Sequence, residues 1–291
     1  MAITKEIVQG IINETIADQP EVTGISPVSG GCIHNAQKII TSGGNYFVKL
    51  NSASDLNMFE TEYSGLKLLA EAGEINVPEP ISNGVIDGQA YLLLNFIDSS
   101  SRKSRFWHEF GIAMARLHKF HQNEQYGLSY SNYIGRLDQY NEFSDDWISF
   151  FIEKRLDIQL RLAFDNGYID RSYLENCTLF YKQLPGLLPV EPPSLLHGDL
   201  WSGNFMTGEA GQPVIIDPAV YYGNREIELS FTKMFGGFDR QFYRSYMEEY
   251  PLEPGFEDRV DIYNIYPHLV HVNLFGPSYL GGVTPVIRKY S

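Results

Sequence analysis

A chain of 291 residues with a formal charge of −14 and no basic run repels phosphate backbones and anionic lipid over most of its surface. That counts against nucleic acid as a partner, and a phosphate-bearing ligand has to be held by a few local cations, by oriented backbone N–H groups or by a metal. The length suits two lobes better than one core, and two cysteines are too few for a disulfide framework or a cysteine-based zinc site.

A first helix is expected up to about Pro20, because Ile3, Ile7, Val8, Ile11 and Ile12 recur at helical spacing among charged residues. This is not the continuous apolar run of a signal peptide. No stretch approaches the roughly 18 apolar residues of a membrane span, so no membrane association and a soluble, cytoplasmic protein are expected. Strands over 22–28 and 33–40 flank the turn Ser29-Gly30-Gly31-Cys32, and a third over Tyr46–Leu50 follows Gly43-Gly44-Asn45. A helix over 55–72 carries Phe59, Tyr63, Leu66 and Leu69 on one stripe, and the apolar run 91–97 predicts a buried strand. Residues 1–97 thus form a strand-rich N-lobe with one key helix.

The polar stretch Ser99–Arg105 reads as the connector to a C-lobe over 98–291. Helical spacing recurs there over 106–121, 145–166, 173–184, 227–235, 241–250 and 256–275. Strands are expected only around Leu195-Leu196 and Val214–Ile216. The fold class is α+β: a small antiparallel sheet lobe and a larger, mostly helical one.

The strongest chemical signal is His197-Gly198-Asp199-Leu200-Trp201-Ser202-Gly203-Asn204, followed by Asp217. Phosphoryl transfer from ATP needs a carboxylate to accept the proton of the attacking hydroxyl and oxygen ligands to hold Mg2+ against the phosphates. Asp199 suits the first role, and Asn204 and Asp217 suit the second. The Asp-x-x-x-x-Asn spacing matches a kinase catalytic loop. Lys49, on the third strand, stands where a lysine pairs the α- and β-phosphates. Glu60 and Glu62 are its candidate partners, and Glu62 is preferred because it lies beside the apolar stripe of its helix. Gly30 and Gly31 can bring backbone N–H groups up to phosphate oxygens.

These features together resemble the fructosamine 3-kinases, or ketosamine 3-kinases, a branch of the aminoglycoside-phosphotransferase-like kinases with a two-lobed, protein-kinase-like fold. The resemblance runs along nearly the whole chain. Its most specific parts are Leu200-Trp201-Ser202-Gly203-Asn204 and Met234-Phe235-Gly236-Gly237-Phe238. It implies that ATP phosphorylates the C3 hydroxyl of a ketosamine, free or protein-linked, after which the sugar is easily eliminated and the amine is freed. It also implies that Trp201 faces the substrate and that the backbone near Asn95 and Ile97 holds adenine. Two departures stand out: Asn95 replaces a usually acidic residue, and Pro267 lies inside the last long helix, where a kink is expected. A same-fold kinase for an aminoglycoside or choline, a non-catalytic nucleotide-binding regulator, and a metallo-hydrolase built on His197 are the alternatives. Monomer and homodimer both stay open.

Cys32 directly follows Gly30-Gly31, in the turn expected to cover the phosphates of ATP. Local N–H groups and Lys49 favour thiolate there, and accessible thiolate is oxidisable. Peroxide is expected to lower activity reversibly, with recovery in dithiothreitol and protection by ATP, while Cys32→Ser is active and indifferent. Equal peroxide sensitivity in that variant rules the switch out.

Overall fold

The computed structural model describes residues 4–28 and 35–291, so Gly30, Gly31 and Cys32 lie outside the described residues. In chain order the elements begin with α1 (Lys5–Thr15), β1 (Val22–Pro27), β2 (Asn35–Thr41), β3 (Gly44–Ser52), α2 (Leu56–Ala72), β4 (Pro80–Ile86) and β5 (Gln89–Asn95). Next come α3 (Phe106–His118), β6 (Asn132–Ile134), β7 (Leu137–Gln139), α4 (Trp147–Phe150), α5 (Asp157–Asp165), α6 (Arg171–Tyr181) and α7 (Leu184–Leu187). The chain then forms β8 (Ser194–Leu196), β9 (Phe205–Thr207), β10 (Pro213–Ile215), β11 (Tyr221–Gly223), α8 (Arg225–Thr232), α9 (Arg240–Glu249), α10 (Phe256–Phe275) and α11 (Thr284–Tyr290). Two compact units result: Met1–Phe106 with Phe205–Pro218, and Trp107–Asn204 with Ala219–Ser291.

The first unit is built on an antiparallel sheet of order β1-β2-β3-β5-β4. Side chains alternate between the faces of a strand, and here both faces are covered. On one face Val48, Leu50, Tyr91 and Leu93 pack with Ile7, Val8, Ile11 and Ile12 of α1. On the other, Ala90, Leu92 and Leu94 pack with Phe59 and Leu66 of α2. Burial on both sides is why β5 reads as an unbroken apolar run. The same alternation turns Lys49, between Val48 and Leu50, toward α2. Gly73 ends α2 in the left-handed conformation at φ +69°.

Sequence reading missed β4 because Pro80 and Gly84 look like turn residues. As an edge strand paired only to β5, it tolerates both. The sequence boundary at 97/98 also differs from the structure. Residues 96–105 are irregular and pack on the β9–β10 hairpin: Ser100 Oγ donates to the Gly208 carbonyl at 2.7 Å and Lys103 N to the Gly211 carbonyl at 3.2 Å. A bond from Ile215 N to the Asn76 carbonyl, 3.0 Å, adds that hairpin to the first unit.

In the second unit, the expected 145–166 helix contains six residues of π-type turns, Phe151–Leu156, between α4 and α5. The widened turn seats Arg155, fully buried, over the Tyr221 ring at 4.0 Å. Every residue of α8 is buried, including Arg225, Glu226 and Glu228. Such charges survive burial only when paired. Arg225 bonds Glu191, and Arg259 bonds Glu226 through Nε at 2.7 Å. These charges hid the first turn of α8 from a hydrophobicity reading. α10 continues through Pro267 to Phe275 as one element. No helix among the described residues is long and apolar enough to cross a membrane.

Two backbones approach closely where α3 meets α9. A Cβ added at Gly111 would fall on the Phe242 carbonyl oxygen, which is backbone and cannot swing aside. Gly111→Ala is therefore expected to destabilise the protein by about 1–3 kcal/mol, as overpacked cores do, measured as a lowered urea midpoint.

Candidate active site

Two clusters, one in each unit, collect the residues that the sequence singles out. In the first unit, the Lys49 ammonium lies 2.6 Å from Glu62 Oε1 and 2.7 Å from Asp217 Oδ1. Helical spacing explains the choice of glutamate. Glu62 shares the face of α2 that buries Phe59 and Leu66, whereas Glu60 is exposed and accepts from Asn57 Nδ2. Lys49 is only 5% exposed. Burial alone would lower its pKa, but the Asp217 and Glu62 carboxylates outweigh that and raise it, so the group stays protonated. Burial pushes the Glu62 carboxyl up against the pull of Lys49, and Asp217 adds to the push. Asp217 has φ +56°, a backbone state that costs a non-glycine residue energy and recurs at functional sites.

In the second unit, Asp199 and Asn204 close a loop upon themselves. Asn204 Nδ2 donates to the Asp199 carbonyl and to Asp199 Oδ2, both at 2.8 Å, and Asn204 N donates to the Trp201 carbonyl at 3.0 Å. With its amide nitrogen so engaged, Asn204 has its carbonyl oxygen to offer a cation. The Trp201 ring lies over Gly203, where any Cβ would collide with it, and its edge meets Phe235 at 5.8 Å between centroids. Trp201 is half-buried, so it both packs this loop and shows surface.

Sequence reading missed what holds the loop from behind. Glu228 is buried on α8 and accepts from Gly198 N at 2.7 Å and from His197 N at 3.1 Å. His118 Nε2 donates to the same carboxylate at 2.9 Å. Burial works to raise the Glu228 pKa, but the hydrogen bond and charge of His118, then His197 and the Gly198 N–H, bring it below the ordinary carboxylate value. Gly198 has φ +85°, and a Cβ there would strike the Ala219 carbonyl oxygen. Ala219 N in turn donates to the His197 carbonyl at 2.8 Å. Gln139 completes the clasp by donating to the Ala219 carbonyl at 3.0 Å. No sequence signal singles out Glu228 or Gln139, since both look like surface residues until the fold buries them. His197 is buried, and its Nδ1 accepts from Asp199 N at 3.3 Å, a backbone-holding part rather than the metal ligand of a hydrolase.

Asn95 ends β5. Its Nδ2 donates to Glu79 Oε2 at 2.6 Å, while its backbone N donates to the Glu79 carbonyl at 2.9 Å. An amide can make that side-chain bond; a carboxylate there would repel Glu79. Ile97 lies two residues beyond the strand, partly exposed. Among the described residues no three His, Cys, Asp or Glu side chains gather as a metal cluster. Asp217 in the first unit and Asn204 in the second each carry a hard oxygen donor, the donor type that suits Mg2+.

Comparison with known proteins agrees over the whole chain. The model of a family described as fructosamine kinase matches residues 4–291. The chain is 37% identical over 276 residues to a "Probable ketoamine kinase" of Lactiplantibacillus plantarum, covering 93% of this chain and 95% of the other. It is 38% identical to "Protein-ribulosamine 3-kinase, chloroplastic" of Arabidopsis thaliana, covering 93% and 83%. The crystal structure of a "Putative fructosamine-3-kinase" from Haemophilus somnus 129PT superposes with a TM-score of 0.88 at 28% identity, covering 98% and 97%. A spectinomycin phosphotransferase shares the fold at a TM-score of 0.56 and 15% identity, covering 99% and 95%.

Glu228→Gln keeps the shape but sets an N–H donor among backbone donors. It is expected to cost about 1–3 kcal/mol in urea unfolding, the penalty for a buried donor without an acceptor. The sign with pH follows from the lowered pKa. The stability that Glu228 contributes is full above the ordinary glutamate value and is lost as pH falls through the lowered native value. The gap between wild type and variant should therefore narrow on acidification, and a gap that widens would contradict this assignment.

Proposed function

The chain belongs to the fructosamine kinase family, and on that footing we propose that it transfers the γ-phosphoryl group of ATP to the C3 hydroxyl of ketosamines. Its relatives named as ribulosamine 3-kinases support both the acceptor class and the position. The observation that carries the reading is the ammonium of Lys49 held at 2.6 Å by Glu62 and at 2.7 Å by Asp217. Fixed in this way, Lys49 is a protonated donor with no freedom to wander, ready for the α- and β-phosphates.

Asp199 accepts the proton of the attacking C3 hydroxyl. Asn204, through its two bonds to Asp199, keeps that carboxylate in one rotamer and so aims its acceptor lone pairs. Trp201 offers an apolar face and one N–H donor to the sugar. Asp217 and Asn204 are the residues that would hold Mg2+, which supplies charge neutralisation of the phosphates when bound. The backbone around Asn95 and Ile97 receives adenine, and Gly30, Gly31 and Cys32 are the residues proposed from sequence to meet the phosphates. Phosphate on C3 makes the sugar easy to eliminate, so the activity is one of deglycation. We place it in the cytoplasm, as the sequence reading has it.

The test is ATP consumption with fructosyl-lysine, ribosyl-lysine and kanamycin side by side, with the product's phosphate located by NMR. Ketosamines should give far higher kcat/KM, with phosphate on C3, and better turnover of kanamycin or phosphate at another carbon defeats the proposal. In the same assay Asp199→Asn should lower kcat by about two to four orders of magnitude while nucleotide still binds. Asp217→Ala should weaken Mg2+-nucleotide binding as well.

A further inference from the structure

The hydrogen bonds behind the catalytic loop do not stop at His118. They continue because α3 and α9 approach so closely. A Cβ at Gly111 would meet the Phe242 carbonyl oxygen and come within 3.0 Å of Tyr246 N, so glycine is what lets the helices sit this near. Seven residues on, His118 ends α3 on the same face as Gly111, and Tyr246 lies one turn beyond Phe242 on α9. The two side chains therefore meet. His118 Nδ1 lies 2.7 Å from the Tyr246 hydroxyl, and the rings stand edge to face with centroids 5.5 Å apart. Across the imidazole, Nε2 donates to Glu228 Oε2 at 2.9 Å. Both His118 and Tyr246 are fully buried.

Contacts at both ring nitrogens fix the plane of the imidazole, and that plane fixes the carboxylate. Glu228 Oε2 accepts from His118 Nε2 and from His197 N, which leaves Oε1 turned to Gly198 N at 2.7 Å. Asp199 follows Gly198 directly in the chain. Packing alone does not call for this arrangement. Buried hydrogen-bonded groups add little net stability over apolar side chains of the same shape; what they add is direction. We propose that His118 and Tyr246 are positioning residues for phosphoryl transfer. Through Glu228 they set the height and angle at which the 197–199 backbone presents the Asp199 carboxylate to the acceptor hydroxyl. This rests on the reading of Asp199 as the base. It adds two residues of α3 and α9 that, being fully buried, touch neither substrate nor nucleotide.

Steady-state kinetics with ATP and ribosyl-lysine test it, with competent sites counted by titration with a fluorescent ADP analogue and stability followed by urea unfolding. His118→Phe keeps a ring of similar bulk and removes both hydrogen bonds. Its kcat per site should fall about 10–100-fold, the effect of slightly misplacing a reacting group, while KM for ATP stays within about twofold. Tyr246→Phe lacks a single oxygen and should lower kcat about three- to tenfold. It carries the test alone should His118→Phe misfold. In an Asp199→Asn background the same substitutions should change kcat by less than about twofold, because no positioned base is left to misplace. Unchanged kcat in Tyr246→Phe, with only a lowered urea midpoint, makes the chain structural and overturns the proposal. Full multiplicative losses in the Asp199→Asn background overturn it as well, since the damage then does not pass through Asp199. Wild-type turnover in Asp199→Asn alone would instead remove the base reading itself.

Discussion

Lys49 carries its charge into a place where water scarcely reaches, and it does so only because two carboxylates meet it there. An unpaired buried ammonium would lose its proton, and removing one partner from such a pair typically costs about 3–5 kcal/mol. The pairing fixes the geometry around it. β3 must present Lys49 toward α2, α2 must turn Glu62 to the sheet, and the chain after β10 must bring Asp217 to the same nitrogen.

The second unit solves a different problem by the same means. The loop over 197–204 is short and bonded across itself by Asn204, and it is also held from behind. Glu228 fastens two consecutive backbone N–H groups, Ala219 N fastens the carbonyl between them, and Gln139 fastens Ala219. A loop tethered at successive backbone atoms can vary its side chains without losing its path.

Much of this was legible beforehand because the informative residues are ones whose chemistry does not depend on context. Asp199, Asn204 and Asp217 announce themselves by spacing, and the helical stripe of Phe59 and Leu66 was enough to choose Glu62 over Glu60. What stayed hidden was context itself. Glu228, Arg225 and Glu226 look like solvated charges until α8 is found wholly buried. Edge strand β4 hid behind Pro80 and Gly84, and the three-residue strands β6, β7, β9 and β11 are too short to show alternation. The largest discrepancy, residues 205–218 joining the first unit, arises from a pairing between Asn76 and Ile215 that no local pattern encodes.

That last feature bears on how the protein is made. The first unit is discontinuous in the chain, with its hairpin and Asp217 encoded about a hundred residues after Phe106. On a ribosome adding 5–20 residues per second, the amino-terminal sheet therefore emerges on the order of ten seconds before its last pieces do. During that interval Lys49 has Glu62 but not Asp217, and residues 96–105 have no hairpin to rest on. The nascent sheet then waits with an incomplete surface, and a cell short of chaperones should lose this protein at that stage of synthesis rather than after release.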